Sequence, residues 1–342
     1  MGGHARERVT ATATSVWFPR ARAVELREET LRGPGPGEVR VRAIASGLSH
    51  GTEMLVFRGE VPATLALDLP TLAGSYGFPI KFGYASVGRV VELGAGVALA
   101  PGDLVFVHHP HQQEYVVNAA LAVRLPPRLP PEFGVFLANC ETALNVVLDA
   151  HPRFGEEVVV FGQGVVGLLV TQLLNLAGAR VTAVEPIALR RELALRCGAE
   201  EAVSPEDALA RIATRTNGRG ADVAIEASGN ASALQLAIDA AAFQSPVVVC
   251  SWYGSKPVSL DLGSRFHRAR LRLVSSQVSQ LDPALAPRWD RQRRLDTALA
   301  LLGELVIGPL ITQRIPFAKA AEAYELVDRR SDETVQVILT YE

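Results

Sequence analysis

Gly162, Gly164 and Gly167, with Gln163, Val165 and Val166 between them, form a GxGxxG turn, and Glu185 stands about twenty residues further on. These residue types at this spacing bind the pyrophosphate of a dinucleotide. The first glycine permits a tight turn, the second lets backbone approach the phosphates, and the third lets a helix sit close to a strand. The phosphates rest on the helix amino end, where unpaired N–H groups and the helix dipole favour an anion. An acid at Glu185 accepts hydrogen bonds from the adenosine ribose and repels a 2′-phosphate, so NAD is expected over NADP. Arg190 and Arg191 leave a second arrangement open, in which Glu185 turns away and the arginines clamp that phosphate. A doubly wound domain that binds another nucleotide, or none, is the plainer alternative.

Such a turn must be held by a strand before it and by a helix and strand after it. A β-branched run at 158–161, an apolar stretch at 165–176, a break at Gly178 and a second run at 180–184 fall where the unit requires them. Strand and helix signals then alternate. A strand at 202–203 leads to Ser204, Pro205 and Asp207, which start a helix ending near Thr214; further strands are expected at 223–226, 246–250 and 271–275, with a helix at 231–241. This order implies an α/β doubly wound parallel sheet covered on both faces. The first 135 or so residues read differently, because Val39, Val41 and Ala43 alternate with Arg40 and Arg42 in the period of a half-buried strand, punctuated by glycine and proline. LPPRLPP at 125–131 forms a stiff connector into a helix carrying 141–148. Beyond Val278, helices are expected at 293–302 and 318–327 and a closing strand at 336–340. The expected domains are 1–137, β-rich; 138–277, dinucleotide-binding; and 278–342, completing the first.

At 342 residues and a net charge of -2, the chain has room for two cores and carries no basic footprint for nucleic acid or a membrane surface. The uncharged run 158–179 is long enough to span a bilayer, but its glycines, Gln163, Gln172 and Asn175 fit a buried βαβ core. MGGHARERV lacks the apolar segment of a signal peptide. Cys140, Cys197 and Cys250 are scattered and form no CxxC, which suits unpaired thiols in a cytoplasm.

The order of parts resembles the medium-chain dehydrogenase/reductase superfamily, in which a β-rich GroES-like catalytic domain receives an inserted Rossmann domain. The resemblance covers nearly the whole chain and rests on GEVRVRAIASGLSHGTE, GYASVGRVVELGAGVALAPGDLVF, FGQGVVG followed by AVEP, and DVAIEASG. SGLSHGTEMLVFRGEVP, PHQQEYVV, NCETALNVV, SWYG and FHRARLRLVSSQV further resemble a bacterial branch related to bacteriochlorophyllide hydroxyethyl dehydrogenases. The resemblance implies a small-molecule substrate and a homodimer formed through the Rossmann domain.

The departures from the zinc-dependent pattern bear on the chemistry. Ser49 stands where zinc members carry a cysteine, Tyr84 where they carry the histidine of GHE, and the third ligand position falls near Ala138, next to Cys140. Hydroxyl, phenol and methyl groups do not supply thiolate or imidazole donors. The four-cysteine structural zinc lobe is also missing, since 103–115 contains no cysteine. No zinc is therefore expected. Charge growing on a substrate oxygen must instead be met by hydrogen-bond donors or a general acid. Tyr84, His50 and Ser49 are the candidates, against a packed tyrosine and a surface-loop histidine. His109 and His111 would share a strand face, with Glu114 near, so a two-histidine metal site is geometrically open. His111 could instead line a cleft. On the helix at Glu141, Thr142 and Asn145, the resemblance places a threonine under the nicotinamide, and Thr142 matches. Ser228 and Gly229 would flank the adenosine, and Trp252 in SWYG the nicotinamide ribose. The expected activity is zinc-independent NAD(H)-dependent hydride transfer to or from a carbonyl, an alcohol or an activated alkene. An NADPH-dependent enoyl or quinone reductase and a non-catalytic nucleotide sensor or scaffold are the alternatives.

Overall fold

The computed structural model describes residues 9–342 except Asp68 and Pro70, and all structural statements below concern these residues. They divide into two compact units, one running to Ala138 and resuming at Ile311–Glu342, the other Asn139–Leu310.

The first unit contains β1 (Val9–Trp17), β2 (Glu25–Arg32), β3 (Glu38–Gly47), α1 (Thr52–Arg58), β4 (Ser86–Leu93), β5 (Leu104–Val107), β6 (Glu114–Asn118), β7 (Val123–Arg124) and α2 (Pro131–Gly134). β3 is its spine. Val39, Val41 and Ala43 are buried, while Arg40 and Arg42 turn outward to Glu92 and Glu114 on the flanking strands. This is the alternation expected of a half-buried antiparallel strand.

The second unit runs from α3 (Leu137–Ala150), which straddles the boundary, through β8 (Glu157–Phe161), α4 (Val165–Leu176), β9 (Arg180–Val184), α5 (Ala188–Arg196), β10 (Glu201–Val203), α6 (Ala208–Arg215), β11 (Val223–Glu226), α7 (Ala231–Ala240), β12 (Pro246–Val249) and β13 (Arg272–Ser275) to α8 (Arg291–Leu302). All six strands are parallel, in the order β10-β9-β8-β11-β12-β13. Counted along the unit that is 3-2-1-4-5-6, so the order reverses between β8 and β11, and the ligand crevice of such a sheet lies beyond the carboxyl ends at that point. Val159 and Phe161 of β8 share one core with Ala224, Leu234, Ile238 and Val247. The uncharged run 158–179 is thus strand, turn and helix, and no helix is long and apolar enough to cross a membrane.

The chain then returns to the first unit with β14 (Ile311–Pro316), α9 (Ala320–Arg329) and β15 (Gln336–Thr340). β15 pairs with Ala45–Gly47 at one end of β3, while β6 pairs with Glu38–Arg42 on its other half and β4 runs along the opposite edge.

Two expectations need correction. The first boundary falls at 138/139 rather than 137/138, and the second at 310/311 rather than 277/278. Residues 278–310 stay with the nucleotide unit because α8 is stitched to α3: buried Arg294 reaches Glu141 at 2.9 Å, and Cys140 Sγ donates to the Ala298 carbonyl at 3.5 Å. The Val306 amide likewise donates to Gln172 of α4 at 2.7 Å. Strand β14, ITQRIP, has most of its positions half or fully exposed and shows no clear alternation in the sequence.

Candidate functional site

At the carboxyl end of β8 the three glycines do three different things. Gly162 has φ +93°, and a Cβ there would lie 2.7 Å from the Ser228 Cβ, so only glycine fits between the β8 and β11 loops. A Cβ on Gly164 would meet nothing within 4 Å, leaving open space in front of the amino end of α4. A Cβ on Gly167 would sit 2.0 Å from the Gly162 carbonyl oxygen, which shows how closely α4 crosses the turn. Gln163 is fully buried; its amide bonds the Val160 carbonyl at 3.2 Å and accepts from Thr171 at 3.1 Å, tying the turn to strand and helix. Val165 is buried at the first position of α4 and Val166 half-buried at the second.

Glu185 follows β9 directly and is turned toward this loop. Its carboxylate accepts from the Gln163 N–H at 2.7 Å and from the Ile187 N–H at 3.1 Å. A carboxylate has about four acceptor positions, and these two amides occupy two of them. Arg191 is spent on the carbonyls of Glu185 and Pro186, at 2.8 and 2.7 Å, rather than facing a phosphate site. Arg190 is half-buried on α5.

Across the reversal point, Glu226 ends β11 fully buried. One of its oxygens accepts from the Ser228 N–H, the Ser228 hydroxyl and the Gly229 N–H at 2.6 to 2.8 Å. Gly229 also donates to Ser251 at 2.9 Å, joining the loops after β11 and β12. Trp252 follows, 37% exposed. Thr142 is half-buried on α3 between Glu141 and Asn145. Burial pushes the thiols of Cys140 and Cys250 up to about 12 and that of Cys197 up to about 11, so none is a ready nucleophile near neutrality.

In the first unit, Ser49 and Tyr84 come together. Burial pushes the Tyr84 phenol up to about 12, the Glu53 carboxylate adds to this, and hydrogen bonds with the Ser49 and Thr52 hydroxyls act in the opposite direction. The result is a phenol that keeps its proton. Beneath it, Glu53 is fully buried on α1 and accepts from the Ser49 N–H at 3.1 Å, from His111 Nε2 at 2.7 Å and from the Tyr324 hydroxyl of α9. Three donors compensate one buried carboxylate. His50 is half-buried in the turn before α1.

The histidines of the cluster are each engaged by protein groups. β5 ends at Val107, so strand alternation does not govern the residues after it. His108 donates to the Tyr84 carbonyl at 3.2 Å, and His109 stacks on Tyr115 at 3.7 Å. His111 is sealed between Glu53 and Ser46, which lies 2.6 Å from its Nδ1, so it lines no cleft. Glu114 pairs with Arg42 instead. Among the described residues no three His, Cys, Asp or Glu are gathered as a metal would need.

Burial lowers His109 from 6.5 to about 3, so it is neutral when folded. The unfolded chain binds that proton first as pH falls, and stability is lost between about pH 6.5 and 3 at up to about 1.4 kcal/mol per pH unit, with no effect above. His109→Phe should flatten the acid side of a stability-versus-pH curve measured by urea unfolding. An unchanged slope would assign acid lability to other groups.

Thr52, Glu53 and Glu226 were not singled out from the sequence. Glu53 precedes the apolar run 54–57 and Glu226 ends the run 223–226, a signal shared with many surface acids.

The family described as Zinc-binding dehydrogenase matches residues 165–290. D-guloside 3-dehydrogenase of Escherichia coli K12 is 30% identical over 98% of this chain and 100% of its own length. 2-Desacetyl-2-hydroxyethyl bacteriochlorophyllide A dehydrogenase of Rhodobacter capsulatus is 28% identical over 86% of this chain and 88% of its own. The crystal structure of an alcohol dehydrogenase from E. coli CFT073 complexed with NADH superposes with a TM-score of 0.79 at 20% identity, over 97% of this chain and 100% of that one. With its 3-2-1-4-5-6 nucleotide sheet set into a β-rich unit, the chain belongs to the medium-chain dehydrogenase/reductase superfamily and is an NAD(P)-dependent dehydrogenase in kind.

Proposed function

We propose that this protein is an NAD(H)-dependent dehydrogenase that interconverts a secondary alcohol and its ketone without a catalytic zinc. The observation that carries this reading is the Tyr84 phenol, set beside the Ser49 and Thr52 hydroxyls where zinc-dependent relatives place ligands. Those side chains do not fit zinc. Ser49, Tyr84 and Ala138 offer a hydroxyl, a phenol held well above neutrality and a methyl group, and Glu53 is already engaged by three donors. The match to the zinc-binding family description, at 165–290, includes none of these positions.

The dinucleotide fits. Gly164 leaves the space a pyrophosphate needs, the amino end of α4 faces it, and Glu185 is poised for the ribose hydroxyls. When bound, it would supply or accept the hydride, with the proton of the alcohol oxygen passing to or from water. Tyr84 donates a hydrogen bond to the substrate oxygen, offsetting the charge that grows there, and Ser49 and Thr52 hold the phenol in place. The two named relatives support the substrate class, since position 3 of a guloside and a hydroxyethyl group are both secondary alcohols. β13 is an edge of the sheet, where a second copy is proposed to pair in a homodimer.

NADH formation from NAD with a methyl guloside, L-threonine or 2,3-butanediol tests the activity, and turnover only of enones with NADPH would replace it with the reductase reading. The purified protein should hold well under about 0.1 zinc per chain and keep its rate in chelator. One zinc per chain would end the zinc-free reading. NAD(H) should bind at least about tenfold more tightly than NADP(H), about 1.4 kcal/mol, since Glu185 faces the ribose and Arg191 is engaged elsewhere. Fluorescence titration decides this; equal affinities would count against Glu185.

A further inference from the structure

A guanidinium buried to 2% exposure lies within the nucleotide unit, away from the phosphate turn. Arg294 of α8 donates through Nε and Nη2 to Glu141 at 3.1 and 2.9 Å and through Nη1 to the Asn145 amide oxygen at 2.5 Å. Asn145 in turn donates to Asp149 at 2.9 Å and to the Ser276 hydroxyl at 3.3 Å. Ser276 is the first residue past β13, and its own N–H is held by the carbonyl of Val249, the last residue of β12, at 2.9 Å. The network therefore ends at the carboxyl rim of the fifth and sixth strands.

That location matters for a dinucleotide that straddles the reversal point. Glu185 is the first residue past β9 and marks the adenosine half over β8 to β10, so the other nucleotide half lies over β11 to β13. Apolar residues of similar volume would hold α8 against α3 about as firmly as a buried ion pair. They would not fix how α3 is rotated. A planar fork gripping Glu141 and Asn145, one helical turn apart on the same face, fixes both the rotation and the height of α3.

Resting on the dinucleotide reading above, we infer that Arg294 is a positioning residue for the nicotinamide half of the cofactor, acting through α3 and the Asn145–Ser276 link. It touches neither cofactor nor substrate. It orders the wall against which the second nucleotide half settles, and leaves the adenosine half to Glu185 and the glycine turn.

The test compares NADH with ADP-ribose, which lacks the nicotinamide, by titration calorimetry on the full chain. Arg294→Met alone leaves Glu141 without its partner and can fail to fold, so the second variant is Arg294→Met with Glu141→Met, and the third is Asn145→Ala, which keeps the ion pair. Circular dichroism confirms folding. In folded variants, NADH affinity should fall about tenfold while ADP-ribose affinity stays within about twofold. Equal loss of both would make the network a general structural clamp and overturn the inference, as would no loss of either. If the wild-type protein binds neither ligand, the dinucleotide reading itself fails, a distinct result.

Discussion

Tyr84→Phe should lower kcat by about 100- to 1,000-fold and leave NADH affinity unchanged, the scale of losing one oxyanion-type donor. The substitution removes a single hydroxyl and almost no volume. That hydroxyl lies beside the Ser49 and Thr52 hydroxyls and near the Glu53 carboxylate, whose charge disfavours a tyrosinate. The phenol thus remains a donor at any ordinary pH, as a group opposing negative charge on a substrate oxygen must. The residues proposed to bind NADH belong to the other unit, so its affinity should not move. Folding stability should drop by only about 1 kcal/mol, the usual net worth of a hydrogen bond. Steady-state kinetics on whichever alcohol the wild type oxidises, with a fluorescence titration of NADH beside it, reads both quantities. Full kcat would make the phenol a packing group and move the search for the donor to His50 and Ser49.

The second and third glycines of the turn should separate folding from binding. At Gly167 even a methyl carbon would lie 2.0 Å from the Gly162 carbonyl, so Gly167→Val forces α4 off β8. The cost should reach at least about 3 kcal/mol, the upper end for overpacking, against a total stability of about 5 to 15. At Gly164 the backbone is extended, with φ -70° and ψ -172°, and an added Cβ meets nothing within 4 Å. Gly164→Ala should leave stability within about 0.5 kcal/mol yet weaken NADH at least about tenfold, because its methyl occupies the space the pyrophosphate enters. Thermal unfolding with NADH titration distinguishes the pair. A Gly164→Ala protein that binds NADH like wild type would mean the phosphates lie elsewhere.

The nucleotide unit was readable because its information is local. The helix expected at 165–176 and the strand at 180–184 have those same bounds in the structure, since a buried parallel strand, a glycine turn and an apolar helix each write their signal within a dozen residues. The support beneath Tyr84 was not. Glu53 meets His111 and Tyr324 across separations of 58 and 271 residues, and nothing near Glu53 in the chain announces either partner. His111 looked like a cleft residue because sequence gives residue type without depth. Arg294 was hidden differently: in DRQRRLD it reads as one charge on a solvated helix face, and only the neighbouring α3 reveals which of the arginines turns inward.

The spine strand β3 takes partners from both ends of the chain: β4 and β6 come soon after it, whereas β15 arrives only after the whole nucleotide unit has intervened. On a ribosome, the contiguous unit Asn139–Leu310 can therefore acquire its sheet while the β-rich unit still waits for the strand that caps it. Until then the Ala45–Gly47 end of β3 presents an unsatisfied edge beside the very loop that carries Ser49. Nascent chains stalled before β15 should be the aggregation-prone species during synthesis, and a holdase chaperone would find its target there rather than in the nucleotide unit.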